Sequence, residues 1–382
     1  MPFFMNPDRQ QVVDTARRFA QNELRPRARE IDRSDEFPVD LFKKMGALGF
    51  LGITLPEQYN GSGGDLTTLA LVIEELSKEC VGIAQNVIAH TCLVSQCLNT
   101  PATPEQREKW LSKLTTGEKI GVYCFTEPCG NSNLAGWKTR AVRDGGDWVI
   151  NGGKMFCTNV GVADYYYVCA LTEGAMDPAT MVGATTFLVE RGTPGLRVGR
   201  IEDKVGWRGS STGQVFFDEV RVPESHRISP LGMGLLCCLE SPPFEMICEG
   251  ASALGLAQHA YEKTLAYAKE RTDANGVPFY QKFETMRTRI AEMKMKIEAM
   301  RAFVYSLTDM VDKGENVYPT VFTVKPYAFA LAEEICSTAV NLHGGNGVVA
   351  DTGIEQLWRD AKVGMIGGGQ YDMMLDMASA ML

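Results

Sequence analysis

The 382-residue chain is poor in histidine, with only four, and its cysteines form no metal-binding or redox pattern. The eleven cysteines are odd in number, and no pair has the CxxC spacing of a zinc or thioredoxin-like site. Reduced, mostly buried thiols are therefore expected. Basic charge is also scarce: 38 Lys and Arg stand against 47 Asp and Glu, giving a formal charge of -9 with no basic block. That balance argues against a nucleic-acid partner. No run of 18 apolar residues suggests a transmembrane helix. The start, MPFFMNPDRQQ, lacks the basic and apolar regions of a secretory signal, so a bacterial cytoplasmic location is expected, with a mitochondrial matrix left open. No internal repeat or low-complexity segment stands out.

With 45% hydrophobic and 22% charged residues, the composition is that of a globular protein, and the length suits two or three domains. Residues 1–118 read as successive helices. Val12, Val13, Ala16, Phe19 and Ala20 recur at helical spacing, and Thr103 with Gln106 forms a capping-box signature. The period changes near Gly121. Val142–Asn151 reads as strand, Gly-rich turn and strand, and Tyr165–Leu171, Thr185–Glu190 and Gln214–Pro223 as further strands. Helical periodicity returns from Ser241. The expected order is a helical domain over 1–118, a β-domain over 119–229 and a helical domain over 230–382.

Three groups of residues carry chemistry together. The first is Tyr123-Cys-Phe-Thr-Glu-Pro-Cys-Gly-Asn-Ser-Asn-Leu-Ala-Gly. The second is Asn151-Gly-Gly-Lys-Met-Phe-Cys-Thr-Asn159, with Lys204-Val-Gly-Trp-Arg-Gly behind it. The third is Leu342-His-Gly-Gly-Asn-Gly347, followed by Arg359-Asp-Ala-Lys362. In this order and at these spacings, the chain resembles the flavin-dependent acyl-CoA dehydrogenases over nearly its whole length. The resemblance implies an α+β multidomain fold: a helical N-terminal domain, a central β-barrel-like domain and a C-terminal four-helix bundle. It also implies FAD, a homotetramer, an acyl-CoA substrate and electron-transfer flavoprotein as electron acceptor.

By the same resemblance, Tyr123, Phe125 and Thr126 lie along the isoalloxazine ring. Phe156 stands where a stacking Trp is usual, and Thr158 approaches flavin N5. Ser132 contacts the pyrophosphate, while Arg271 reaches the pyrophosphate of a neighbouring subunit. Asn341, Gly345 and Gln370 also fall at cofactor positions. The stretch from Arg271 to Gly276 departs from the usual Arg-x-x-Phe-Gly, having a longer loop and no Phe, and Glu284 replaces a frequent Gln.

Many family members carry the catalytic base in a Tyr-Glu-Gly-Thr-like run. Here that run is Ile366-Gly-Gly-Gly-Gln370, and the usual Glu is Gly368, which has no side chain to take a proton. Isovaleryl- and long-chain-type members carry the base on an earlier helix, at a place that Glu245 matches. Ser241-Pro-Pro-Phe-Glu245 reads as N-cap, first-turn Pro and carboxylate. Glu249 lies one turn on and is expected to titrate with Glu245, as a second base or a tuner. Gly368 keeps the backbone N–H that, in the family, holds the thioester oxygen. Met246 replaces a frequent Arg, which implies altered CoA contacts. His90 is a candidate for the acyl pocket.

These residues imply an acyl-CoA dehydrogenase in which Glu245 takes the α-proton and the β-hydride goes to flavin N5. Two other readings stay open. One is an enoyl-CoA reductase of the carnitine- or arylacrylate-CoA type. The other is a non-catalytic acyl-thioester-binding homologue.

Overall fold

The structure, a computed structural model, describes residues 2–382 except 131–133, 173, 175 and 178. Helices run from Pro7 to Thr115, strands from Gly121 to Pro223, and helices again from Gly234 to Ser379. The Thr103 capping box forms, with both reciprocal hydrogen bonds present. A helical stretch over Val81–Asn99 is long and apolar enough to cross a membrane, but 94% of its apolar window is buried inside the protein. It is a core helix.

The strands are β1 (Gly121–Cys124), β2 (Arg140–Asp144), β3 (Asp147–Thr158), β4 (Tyr165–Leu171), β5 (Ala184–Glu190), β6 (Leu196–Ile201) and β7 (Thr212–Pro223). They form one sheet in the order β1-β4-β2-β3-β7-β6, with β5 on the other edge of β4. β4 is apolar throughout because both its faces are covered. Tyr165, Tyr167, Cys169 and Leu171 pack with Trp110 and Leu114 of the N-terminal helices, while Tyr166, Val168 and Ala170 pack inside the β-domain. A strand buried on both sides has no polar face to alternate with. β1 and β2 both run parallel to β4, β1 along Tyr165–Val168 and β2 at Leu171. The connection between them therefore leaves and rejoins one edge of a single strand.

In the C-terminal half, the Pro242–Glu270 helix packs on Val321–His343, on Glu284–Asp312 and on the N-terminal helix Leu66–Glu79. Its first turns carry Glu245 and Glu249. Arg301, from the Glu284–Asp312 helix, donates to the buried Glu74 carboxylate at 2.7 Å and ties the two helical regions together.

Candidate active site

The β-domain builds an aromatic shelf on the β1–β2 connection. The Tyr123 and Phe125 rings lie 5.6 Å apart and nearly parallel, at 11°. Trp137 meets Phe125 edge-on at 4.8 Å. What holds this connection is Lys154, from the Asn-Gly-Gly-Lys run. It is wholly buried, donates to Phe125 O at 2.8 Å and to Glu127 Oε1 at 2.9 Å, and sits 3.8 Å from the Trp137 ring centre. Glu127 also accepts from the Lys138 and Thr139 amides. A buried charge persists only where it is paired and hydrogen-bonded, and this pair joins the first sequence motif to the second.

Next to Lys154 the β3–β7 ladder slips: Lys154 faces Val215, but Cys157 faces Gly213. One extra residue in β3 makes a bulge. Phe156 occupies it at φ 54°, and the residue is 58% exposed. An aromatic residue in left-handed backbone, pointing outward, is strained and unshielded, as expected where a flat ligand would cover it. The Met155 amide donates to Thr126 O at 2.8 Å, stitching bulge to shelf. Thr158 is half-buried at the end of β3. Exposed ring, shelf and half-buried threonine thus suit a flat aromatic cofactor.

The carboxylates of Glu245 and Glu249 come to the Gly367–Gly369 loop. Gly368 has φ 66°, and a Cβ placed there would lie 3.2 Å from Glu249 Oε1 and 3.5 Å from Glu245 Oε1. The two glutamates border the space that a side chain would enter. Trp207 backs the loop so closely that a Cβ on Gly367 would clash with its ring at 2.5 Å. Glu245 keeps part of its surface open, yet dense packing pushes its carboxyl up to about 8; Glu249 adds to the rise and Lys325 opposes it. Glu249 is almost fully buried and is also raised by burial, against the pull of Lys325 and a hydrogen bond from Gln85. That bond, Gln85 Nε2 to Glu249 Oε2, is 2.9 Å long.

The two halves of the site meet on consecutive residues. Gln85 holds Glu249, and the Asn86 carbonyl accepts from Asn159 Nδ2 at 3.1 Å, one residue beyond Thr158. Sequence reasoning missed Gln85, the Lys154–Glu127 pair and Lys325. The signal for Lys325 was a lone cation in the apolar run Val321-Phe-Thr-Val-Lys-Pro-Tyr-Ala-Phe-Ala.

A separate surface groove gathers Arg271, Asn341 and Gly345 with Phe279 and Phe283. Asp273–Gly276 folds as a turn, so Phe279 returns to donate its amide to Arg271 O at 2.7 Å. The longer loop thereby supplies an aromatic neighbour by another route, with the Arg271 guanidinium 5.8 Å from the Phe279 ring centre. Glu284 opens the helix that follows.

Other expectations change. His90 is wholly buried; Nε2 reaches Leu114 O at 2.9 Å and Nδ1 accepts from the Gly121 amide at 3.1 Å. Both ring nitrogens are used, and burial drives its pKa down to about 4, so it is a neutral core bridge and not a lining of the acyl pocket. Gln370 caps the Tyr371–Ser379 helix, accepting from Met373 N and donating to Asp372, and its side chain is exposed. Ser241 does not cap its helix; its hydroxyl donates to Cys92 O at 2.9 Å. Met246 is buried in the core. Ser132 lies outside the described residues.

Sequence models of the acyl-CoA dehydrogenase N-terminal, middle and C-terminal domains match residues 6–118, 122–220 and 233–382. The chain is 35% identical to a short-chain specific acyl-CoA dehydrogenase of Clostridium acetobutylicum, over 95% of this chain and 94% of that one. It is 33% identical to an acryloyl-CoA reductase (NADH) of Anaerotignum propionicum, over 95% and 91%. The solved butyryl-CoA dehydrogenase of Megasphaera elsdenii superposes with a TM-score of 0.94 at 30% identity, covering 100% and 99% of the two chains. The stitched aromatic shelf, the paired glutamates and these matches lead to one conclusion: the chain belongs to the acyl-CoA dehydrogenase family, flavin-dependent oxidoreductases acting on CH–CH bonds.

Proposed function

We propose that the chain is an FAD-dependent acyl-CoA dehydrogenase whose base is Glu245. The observation that carries this is the meeting of Glu245 and Glu249 at Gly368. A base must reach the α-carbon before its pKa matters. With no carboxylate at 368, the Pro242–Glu270 helix brings two to the loop. Glu245, with part of its surface open, can meet a substrate, while Glu249 is buried and hydrogen-bonded. We assign proton abstraction to Glu245 and its tuning to Glu249. The Gly368 N–H would donate to the thioester oxygen, where preorganised donors stabilise developing negative charge.

Bound FAD would supply the acceptor for the hydride leaving the β-carbon. Tyr123, Phe125, Thr126, Phe156 and Thr158 would hold its ring, and Arg271, Asn341 and Gly345 the pyrophosphate of a neighbouring copy. That last contact calls for an oligomer, which we take to be a homotetramer. The electron acceptor would be electron-transfer flavoprotein. The test is a flavin-bleaching screen with straight, branched, cyclic and aromatic acyl-CoAs. Wild-type protein should bleach with at least one of them, and Glu245→Gln should retain flavin without bleaching. Full activity of that variant overturns the assignment.

A second reading, an enoyl-CoA reductase on the same site, is favoured by the acryloyl-CoA reductase among the relatives. Comparing enoyl-CoA reduction by a low-potential donor with the forward rate separates the two.

A further inference from the structure

Lys325 is a buried cation beside this chemistry. It lies on the Val321–His343 helix with no exposed surface. Its neighbours in sequence are Val324 and Pro326, both buried. Its ammonium donates to the Gly369 carbonyl, so it holds the three-glycine loop. One residue earlier in that loop, the Glu245 and Glu249 carboxylates converge on Gly368 through their Oε1 atoms. Lys325 interacts electrostatically with both. One side chain therefore touches the loop that carries the Gly368 N–H and faces the pair that carries the base.

We propose that Lys325 is a positioning residue for the reaction, fixing the Gly368 donor through the Gly369 carbonyl while its charge decides how many of the two carboxylates are ionised. The proposal rests on Glu245 being the base. Its physical reason is charge balance. Two carboxylates beside one loop, with no cation, would leave at most one ionised near neutrality. A buried ammonium compensates one negative charge. With it, Glu249 can stay ionised against Lys325 while Glu245 exchanges its proton with substrate. Without it, a proton must remain on the pair, and Glu245 competes for it.

The groups facing the pair are few. The Val81–Asn99 stretch contributes Gln85, bonded to Glu249, and the Cys92 thiol, which burial keeps protonated. The carboxylates' own helix adds the buried Cys248. The Val321–His343 helix adds Lys325, and the Gly367–Gly369 loop adds no side chain. Burial lowers the lysine pKa, and the two carboxylates oppose that fall.

The test uses the flavin-loaded enzyme and two variants of Lys325. Lys325→Gln keeps a hydrogen-bond donor for Gly369 without the charge, and Lys325→Met removes both. For each, kcat/KM is followed against pH, with an acyl-CoA that bleaches the wild type. The acid limb should move to higher pH by about one unit in both, the size expected when one nearby opposite charge is removed. Activity at neutral pH should fall about tenfold and recover as the pH rises. Lys325→Met should also show a lower limiting kcat, from loss of the loop contact.

Infrared titration of the carboxyl groups, without turnover, should show the same shift. If the single variants do not fold, Glu249→Gln and Glu249→Gln/Lys325→Gln replace them, and the difference between these two reports the action of Lys325 on Glu245. An acid limb and infrared titration left in place by the loss of Lys325 overturn the proposal. Should Glu245→Gln stay active, the base assignment fails instead, so the two failures are told apart.

Discussion

The Lys154 ammonium donates to Glu127 Oε1 at 2.9 Å, and both side chains are almost completely removed from solvent. This contact joins two segments 27 residues apart in the chain, each of which places an aromatic residue of the proposed flavin shelf. Shelf shape and domain stability thus depend on one ion pair.

Removing either partner leaves the other charged and buried. Glu127→Gln or Lys154→Met should cost roughly 3–5 kcal/mol of stability, the usual result of breaking a buried pair from one side. Chemical denaturation checks the size. The purified variants should also be colourless or lose flavin on gel filtration; a yellow variant with unchanged stability would contradict the role given to the pair.

Phe156 gives the opposite pattern. Its exposed ring and its φ of 54° mean that folding gains little from it and pays for the backbone. Phe156→Gly should melt at the same temperature as the wild type or higher when flavin-free. Its affinity for FAD should fall about five- to tenfold, the scale of one lost aromatic contact. Paired melting curves and a flavin-binding titration measure both.

The paired carboxylates predict a pH profile with a chosen direction. Glu249 raises the Glu245 pKa, so Glu249→Gln should move the acid limb of kcat/KM to lower pH. An unmoved limb would mean that the two groups titrate independently.

Stability should follow the same groups. The folded-state pKa of Glu245 lies at about 8, above the ordinary 4.5. A group raised on folding binds its proton more tightly in the native state. Its contribution is fully present below pH 4.5 and is lost as the pH rises through about 8. Glu245→Gln removes that loss. Its melting temperature should match the wild type in acid and exceed it increasingly toward pH 8. Parallel curves across the range would show that Glu245 is not raised.

The helical, β, helical order was legible because each period fills a face that must be buried. The hairpin at Asp144–Asp147 and the β4 run both form as read. β6 was not foreseen: its residues Leu196-Arg-Val-Gly-Arg-Ile are mostly half-buried or exposed, too polar to announce an edge strand. At the site, the family resemblance pointed to Gly368 and the two glutamates, and the structure brings these three residues together. Lys325, Gln85 and Lys154 were not, since their roles depend on partners 44, 164 and 27 residues away. The histidines read as structural, with His90 also a pocket candidate, but no pattern in one sequence reveals that Gly121 and Leu114 will take its ring nitrogens.

The crowding at Gly368 has a consequence for redesign. A side chain there would need left-handed backbone, and its Cβ would come within 3.2 Å of Glu249 Oε1 and 3.5 Å of Glu245 Oε1. A carboxylate placed at 368 would therefore require Glu249 to give way. Transplanting the base to this loop calls for changes at both positions together.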